Sequence, residues 1–305
     1  MRIRWFRALC AGAVALGVAA AMSGCGGTSA ASATGVRIIA AENFWGSIAM
    51  QIGGSKASVQ SIITNPAQDP HSYEPTAQDA RALATAQLAI VNGVGYDPWA
   101  PRLLAANPDS QRIVLNVGDQ FGLHEGDNPH RWYEPTEVEA VAKDIAGDLS
   151  KLDPTNADYY TRQLSTFESS GLAPYHRLIA RIARRYAGTS VGASESIFAL
   201  LAPALRLELA TPPSFMKAIS EGTEVSAQDT ITTQEQMTRH QIKVWIYNPQ
   251  NATPQIQRLN ALARAGHIPI ATVTETLFPA TASFEQWQVT QLQNLERALH
   301  EATGR

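Results

Sequence analysis

Two histidines of this 305-residue chain, His71 and His130, stand in closely similar surroundings. Residues 69–76 read DPHSYEPT and residues 128–136 read NPHRWYEPT, so the two segments differ mainly by one inserted residue. Each histidine follows a proline, which fixes its own φ and favours extended geometry in the residue before it. Both imidazoles should therefore lie on short, stiff loops that could present them to a metal ion. The alternative is two unrelated surface loops.

Two glutamates occupy positions from which they could complete a metal site. Glu195 follows the apolar segment 190–193 and Glu275 follows the apolar segment 268–271, so each should lie just past the end of a strand. Together with two neutral imidazoles, the two carboxylates would form a four-residue set whose charge formally balances a divalent cation. Considered singly, a glutamate is more often an exposed surface residue than a ligand.

The other histidines have no ligand partner suggested by their spacing, and we interpret them as surface residues: His124, His176, His240, His267 and His300. Residues 124–127 (HEGD) form a small acidic loop shortly before His130. This loop could collect metal weakly, although a solvated loop is the favoured interpretation.

Alternating strands and helices are predicted to position these side chains. Short apolar runs predict strands at 37–40, 59–63, 88–91, 112–115, 190–193, 207–209, 243–247 and 268–271. Periodicity predicts helices at 77–86, 136–152, 232–240, 254–265 and 283–301. Residues 136–139 (TEVE) match a capping box, which predicts a helix start at Thr136. The predicted fold is α/β, with two lobes containing parallel sheets and a metal site in the cleft between them.

The predicted organisation has five segments along the chain. Residues 1–24 form a signal peptide and residues 25–35, almost entirely Gly, Ser, Thr and Ala, form a lipid-anchored flexible tether. Residues 36–153 form an N-terminal metal-binding lobe and residues 188–305 a C-terminal one. One long helix at 154–187 joins the lobes, and Gly171 and Pro174 are predicted to kink it.

The amino-terminal residues indicate export and a lipid anchor. Residues 1–7 carry three arginines and precede a mostly apolar run at 8–22, which is typical of a signal peptide and too short for a comfortable membrane span. Residues 22–25 (MSGC) resemble the bacterial lipobox, which predicts that Cys25 becomes a lipidated amino terminus. Ordinary cleavage nearby, leaving a free cysteine, is the alternative. We expect a cell membrane lipoprotein on the extracytoplasmic face.

Charge and motif content exclude several other classes of protein. Without the signal peptide, 21 basic residues remain against 27 acidic ones, and basic clusters are absent, which argues against nucleic acid as a partner. The sequence contains no His-Glu-x-x-His helix, Gly-x-Ser-x-Gly elbow, phosphate-binding glycine loop or dinucleotide fingerprint. We therefore predict that the chain is not an enzyme.

Seven short motifs are spread along both predicted lobes. They are AENFWG (41–46), NPAQDPH (65–71), NGVGY (92–96), NPHRW (128–132), SESIF (194–198), EGTE (221–224) and TET (274–276). With these motifs the chain resembles, from about residue 38 to residue 299, the lipoproteins that bind zinc or manganese for ABC importers. The resemblance implies an extracytoplasmic solute-binding protein that captures a divalent transition metal and delivers it to the membrane permease of an ABC transporter.

The resemblance also implies a set of ligands. His71 and His130 match the two Pro-His ligands of the family, Glu195 stands where zinc-type members carry a third histidine, and Glu275 stands where many members carry aspartate. Zn²⁺ and Mn²⁺ both remain open as the transported ligand, because the stability order favours zinc whereas carboxylates suit manganese. A secreted zinc-dependent hydrolase and a surface adhesin are the alternative functions.

Overall fold

The computed structural model describes residues 35–68 and 70–305, which belong to one compact unit. The predicted signal peptide, Cys25 and nearly all of the predicted tether lie outside the described residues, so these remain predictions. Within the described part, no helix is both long enough and apolar enough to span a membrane.

Within the described residues, eight strands form two parallel four-stranded sheets. The first sheet contains β1 (Val36–Glu42), β2 (Ala57–Ile63), β3 (Leu88–Val91) and β4 (Ile113–Asn116), in the order β2-β1-β3-β4. The second contains β5 (Ser190–Ala193), β6 (Glu208–Leu209), β7 (Val244–Tyr247) and β8 (Ile270–Thr272), in the order β6-β5-β7-β8. Each strand lies within two residues of its predicted bounds, and the predicted fold class is confirmed.

Helices connect the strands and cover the sheets. They are α1 (Asn43–Gly53), α2 (Ala77–Thr85), α3 (Trp99–Ala106), α4 (Val117–Gln120), α5 (Pro135–Leu152), α6 (Ala157–Thr166), α7 (Ala173–Arg185), α8 (Pro213–Ser220), α9 (Ala227–Thr238), α10 (Pro254–Ala265) and α11 (Phe284–Thr303). Helices α1, α3, α4 and α8 were not predicted. Helix α1 is buried on most of its circumference, so it presents little polar face.

The segment predicted as one linking helix is interrupted in the middle. A π-helical stretch at Phe167–Gly171 separates α6 from α7, and the Leu172 N–H donates to the Phe167 carbonyl at 2.8 Å. Pro174 lies in the first turn of α7, where backbone N–H groups have no partner within the helix, so the lack of an N–H costs no helical hydrogen bond. The predicted kink is therefore a π-helical turn followed by a new helix start. The predicted segment boundaries stay predictions.

Helix caps fix the loops that carry the two predicted histidine ligands. Thr76 caps α2 in a capping box with Asp79. The predicted capping box at Thr136 is wrong, because Glu134 is the N-cap of α5 and accepts the Glu137 N–H at 2.8 Å. Pro135 occupies the first position of α5, where its fixed φ suits a helix start. The helix consequently begins one residue before the predicted start.

A single hydrophobic cluster runs continuously through both lobes and the helices between them. It contains the buried aromatic side chains of Trp45, Trp132, Tyr133, Trp245 and Trp287. A smaller cluster on the other face of the first sheet lies under α2 and α3. Because close-packed interiors resist deformation, the shared core holds the two lobes in a defined relative position.

Asp79 anchors the segment between His71 and α2. Its Oδ2 accepts hydrogen bonds from the Tyr73 hydroxyl at 2.8 Å and from the Thr76 N–H and hydroxyl at 2.7 Å each. Burial acts to raise the pKa of Asp79, but the hydrogen bonds from Thr76 and Tyr73 outweigh it and hold the pKa below its ordinary value. The ionised form of Asp79 therefore stabilises the folded loop.

Replacing Asp79 with Asn should lower the free energy of unfolding by about 1–3 kcal/mol at about pH 7, because a charged acceptor is lost. The folded pKa lies below the unfolded value of about 3.9, so this stabilisation is present above that value and disappears as pH falls through the folded pKa. Urea unfolding at about pH 7 and about pH 3 measures both effects. An equal loss in Glu74→Gln, at an exposed neighbouring position, would contradict the prediction.

Candidate metal centre

His130 is completely buried at the junction of the two lobes, with 0 % of its surface exposed. Its Nδ1 lies 2.7 Å from Asn128 Oδ1, while the Asn128 Nδ2 donates to the Ser196 carbonyl at 2.7 Å. The bond to Ser196 identifies the amide nitrogen of Asn128, so the atom that faces His130 is the amide oxygen. An amide oxygen can only accept a hydrogen bond, so the histidine proton must lie on Nδ1. The His130 Nε2 therefore carries a lone pair.

The lone pair of His130 points towards a carboxylate. Nε2 lies 4.0 Å from Glu275 Oε1 and makes no hydrogen bond to any described residue. Burial is the main cause that lowers the pKa of His130 to about 3, and His71 and Arg131 act electrostatically in the same direction. The imidazole is consequently neutral over the physiological pH range, which is the form that coordinates metals.

Glu195 and Glu275 lie just past the ends of β5 and β8 and are both buried. The Asn248 Nδ2, directly after β7, donates to Glu195 Oε2 at 3.2 Å and to Glu275 Oε1 at 3.3 Å. The Tyr96 hydroxyl also donates to Glu275 Oε2, at 3.4 Å. One amide thus joins the two predicted carboxylate ligands, which come from segments 80 residues apart along the chain.

His71 lies at the rim of this cluster and is half-buried. Its ring is packed edge-on against Tyr96, with the ring centroids 4.8 Å apart, and the Tyr96 ring lies 5.9 Å from that of His130. His71 lines two neighbouring cavities, one of about 380 Å³ and one of about 170 Å³, and Glu275 lines the smaller one. His71 therefore faces the interlobe cleft from its open side.

The structure places Glu275 next to His130, links it through Asn248 to Glu195, and leaves His71 at the rim of the cleft. Within residues 35–68 and 70–305, no three His, Cys, Asp or Glu side chains already stand as a ready-made metal cluster.

The acidic loop at 124–127 borders the larger cavity, and Asp127 there accepts the His124 N–H at 2.9 Å.

The Glu275 segment is held by residues from both lobes. The Tyr133 hydroxyl donates to the Thr274 carbonyl at 2.8 Å, and the Thr274 N–H donates to Gln291 Oε1 at 2.6 Å. Gln250 Oε1 accepts the Glu275 N–H at 2.8 Å. Tyr133 belongs to the segment that carries His130, so the positions of His130 and Glu275 depend on each other.

Several of these positioning residues were given no role in the sequence analysis, although three of them lie in its motifs. They are Tyr96, Asn128, Ser196, Asn248 and Gln250. Asn248 could have been found, because it follows a predicted strand directly, as ligand-binding residues of parallel sheets often do. Asn128 and Ser196 lie in the motifs NPHRW and SESIF, but the hydrogen bond between them joins the two lobes, and the motifs do not reveal that contact.

The parallel sheets, the linking helices and the buried polar cluster define a two-lobed α/β protein with a candidate site in its cleft. A family model described as ZnuA, zinc-uptake complex component A, periplasmic, matches residues 38–298, and the chain belongs to this family.

Curated relatives match about half of the chain. It is 29 % identical over 166 residues to the manganese-binding lipoprotein MntA of Halalkalibacterium halodurans, covering 52 % of this chain and 55 % of that protein. It is 29 % identical over 157 residues to the iron-binding protein YfeA of Yersinia pestis, covering 48 % and 50 %. The chain thus spans about half the length of the curated relatives it matches.

Solved structures match nearly the whole described fold. A crystal structure of ZnuA aligns with a TM-score of 0.69 and 21 % identity, covering 87 % of this chain and 99 % of that one. A manganese-bound periplasmic metal-binding protein from Candidatus Liberibacter asiaticus aligns with a TM-score of 0.70 and 19 % identity, with the same coverage of both chains. At these identities the likeness establishes the shared fold.

Replacing Asn248 with Ala should destabilise the chain at about pH 7 by at least about 2 kcal/mol, because one amide hydrogen-bonds two buried carboxyl groups. Asn251→Ala is the matched control, since its amide makes a hydrogen bond of 3.2 Å to the neutral Ile219 carbonyl and should cost about 1 kcal/mol. Urea unfolding of the metal-free chain measures both. Equal losses in the two variants would show that Asn248 does not hold the carboxyl groups together.

Proposed function

We propose that this chain captures a divalent transition metal, zinc or manganese, outside the cytoplasmic membrane and delivers it to an ABC importer. The observation that carries the proposal is the buried, neutral His130, whose Nε2 lone pair lies 4.0 Å from the Glu275 carboxylate. The Glu275 carboxylate faces this nitrogen, and the Asn248 amide links it to the buried Glu195 carboxylate. A cation bound there would offset the cost of holding the two carboxylates away from water.

We assign His71, His130, Glu195 and Glu275 as the ligands. His130 and the two carboxylates form the buried floor, and His71 would close on the ion from the rim of the cleft. Asn248 would hold the carboxylates in position, as residues around metal ligands commonly do.

Both metals suit this donor set. Imidazole nitrogen favours zinc, and carboxylate oxygens, which can bind through one or two atoms, also suit manganese. The name of the family supports zinc, whereas MntA and YfeA are named for manganese and iron. These names support a divalent transition metal as cargo, and the metal present in protein from its native cell would identify it.

A carrier role is favoured over the two alternative functions. Catalytic zinc sites usually combine three protein ligands with an open water position, whereas this cluster offers four ligands. The matched family is an uptake component, which supports transport and not hydrolysis or adhesion. The partners proposed are the metal ion and an ABC transporter membrane permease, and no nucleic acid.

Membrane attachment is proposed through Cys25. Relatives such as MntA and the PsaA protein of Streptococcus mitis carry the name lipoprotein, which supports a lipid anchor and a location on the extracytoplasmic face of the cell membrane. Residues 26–35 would then serve as the flexible tether between the anchored cysteine and the folded lobes.

Replacing His130 with Ala should weaken zinc and manganese binding at least about 100-fold, because a buried ligand is removed, and His71→Ala should weaken it by about tenfold or more. Calorimetric titration of the purified chain measures the affinities. His176→Ala is the control, since His176 pairs with Glu139 at 3.0 Å on the surface and should leave the affinity unchanged. Wild-type affinity in both cleft variants would refute the ligand assignment.

Replacing Cys25 with Ser should move the protein from the membrane fraction to the soluble fraction, because the attached lipid is the proposed anchor. Cell fractionation and immunoblotting measure the distribution. Ser23→Ala, two residues away, should leave the protein on the membrane. Continued membrane association of the Cys25 variant, with the signal peptide shown to be cleaved, would refute the lipobox assignment.

A further inference from the structure

Two acidic side chains of the first lobe are buried and interact electrostatically with each other. Glu42, the last residue of β1, is 0 % exposed, and Asp97, in the turn before α3, is 1 % exposed. Neither group belongs to the proposed set of metal ligands. A buried pair of acids is costly unless protons or hydrogen bonds compensate it, so its persistence in the fold calls for a physical reason.

The two acids differ in their hydrogen bonds. Asp97 accepts the Asn92 N–H with Oδ2 and the Gly93 N–H with Oδ1, both at 2.8 Å. Glu42 receives a hydrogen bond from no N–H of another described residue. Main-chain N–H donors favour the ionised form of a carboxyl group, so Asp97 is the member that ionises. Both Glu42 carboxyl oxygens lack a hydrogen-bond partner among the described residues, which favours the protonated form of Glu42.

The electrostatic environment agrees with this assignment. Burial, followed by the charge of Asp97 and the hydrogen bond to it, raises the pKa of Glu42 well above its ordinary value. Asp97 is the titratable neighbour that causes this shift. For Asp97, burial raises the pKa to about 6, and the N–H bonds from Asn92 and Gly93 limit this rise, so Asp97 is mainly ionised at neutral pH.

Asp97 is connected to the His130 loop through Asn92. The Asn92 Oδ1 accepts the Trp45 Nε1–H at 3.0 Å, and its Nδ2 donates to the Pro129 carbonyl at 2.9 Å. Pro129 directly precedes His130. A hydrogen-bonded path therefore runs from Asp97 through the main chain and carboxamide of Asn92 to the backbone of the candidate ligand.

We propose that Glu42 and Asp97 share one proton at neutral pH, and that this protonated pair is a positioning element for the His130 loop. The carboxyl hydrogen of Glu42 would donate a hydrogen bond to Asp97. This bond would keep the Asp97 carboxylate oriented towards the N–H groups of Asn92 and Gly93. The positioning role rests on the proposed function, because it needs His130 to bind metal. The shared proton does not, and it can be tested on metal-free protein.

The shared proton makes stability depend on pH in a defined direction. Above the ordinary glutamate pKa of about 4.3, the unfolded chain releases a proton that folded Glu42 keeps. The folding equilibrium constant therefore falls as pH rises, by up to about tenfold per pH unit for this one proton, until the folded pKa is passed. Glu42→Gln supplies a permanent neutral N–H donor and removes this contribution.

Urea unfolding of the metal-free full-length chain between about pH 5 and pH 8 tests the shared proton. The ratio of the folding constants of Glu42→Gln and wild type should rise by up to about tenfold per pH unit. The control Glu301→Gln, at an exposed position on α11, should run parallel to wild type. A Glu42→Gln profile parallel to wild type would overturn the proposal, whatever the metal affinity.

Zinc titration of the same variants tests positioning. Glu42→Gln should bind zinc within about threefold of wild type, whereas Glu42→Leu, which cannot donate to Asp97, should bind at least about tenfold more weakly. Equal weakening of zinc binding in both variants would overturn the positioning role. If Glu42→Leu does not fold, the pH profile of Glu42→Gln still tests the shared proton. Absence of zinc and manganese binding in wild type would refute the proposed function and the positioning role together, and leave the pH profile as the test of the proton.

Discussion

The burial of His130 between the two lobes is the constraint on which the rest of the site depends. Burial removes the water that would solvate a charged imidazole, so His130 stays neutral. Its Nδ1–H donates a hydrogen bond to Asn128. Asn128 is in turn oriented by the Ser196 carbonyl of the second lobe. The direction of the Nε2 lone pair is thus set by a contact that exists only when both lobes are assembled.

The shared core explains how this contact stays in place. One hydrophobic cluster continues from the first lobe through the linking helices into the second, and Tyr133 joins the His130 segment to Thr274 beside Glu275. Close packing of this kind resists rotation of one lobe against the other.

The two lobes use equivalent strand ends for related purposes. Each sheet places its first strand beside its third, and an asparagine directly follows the third strand in both, as Asn92 and Asn248. Asn92 holds the loop before His130, whereas Asn248 holds the two carboxylates. A glutamate lies at or just past the end of each first strand: Glu42 pairs with a second acid, and Glu195 joins the candidate site.

Local sequence patterns were sufficient for the strands, most longer helices and the fold class, because apolar runs and periodicity report which face of an element is buried. They also identified His71, His130, Glu195 and Glu275 as candidates from repeated motifs and strand ends. They failed for α1, which is buried nearly all round, for the short helices α3, α4 and α8, and for the α5 cap, where Glu134 replaces the expected Thr136.

Only the tertiary structure decided that His130 is enclosed while His71 lies at the rim of the cleft. It also decided which nitrogen of His130 carries the lone pair and that Asn248 links two carboxylates. The physical reason is that burial and hydrogen bonds between residues far apart in sequence arise from packing, and no local pattern encodes them.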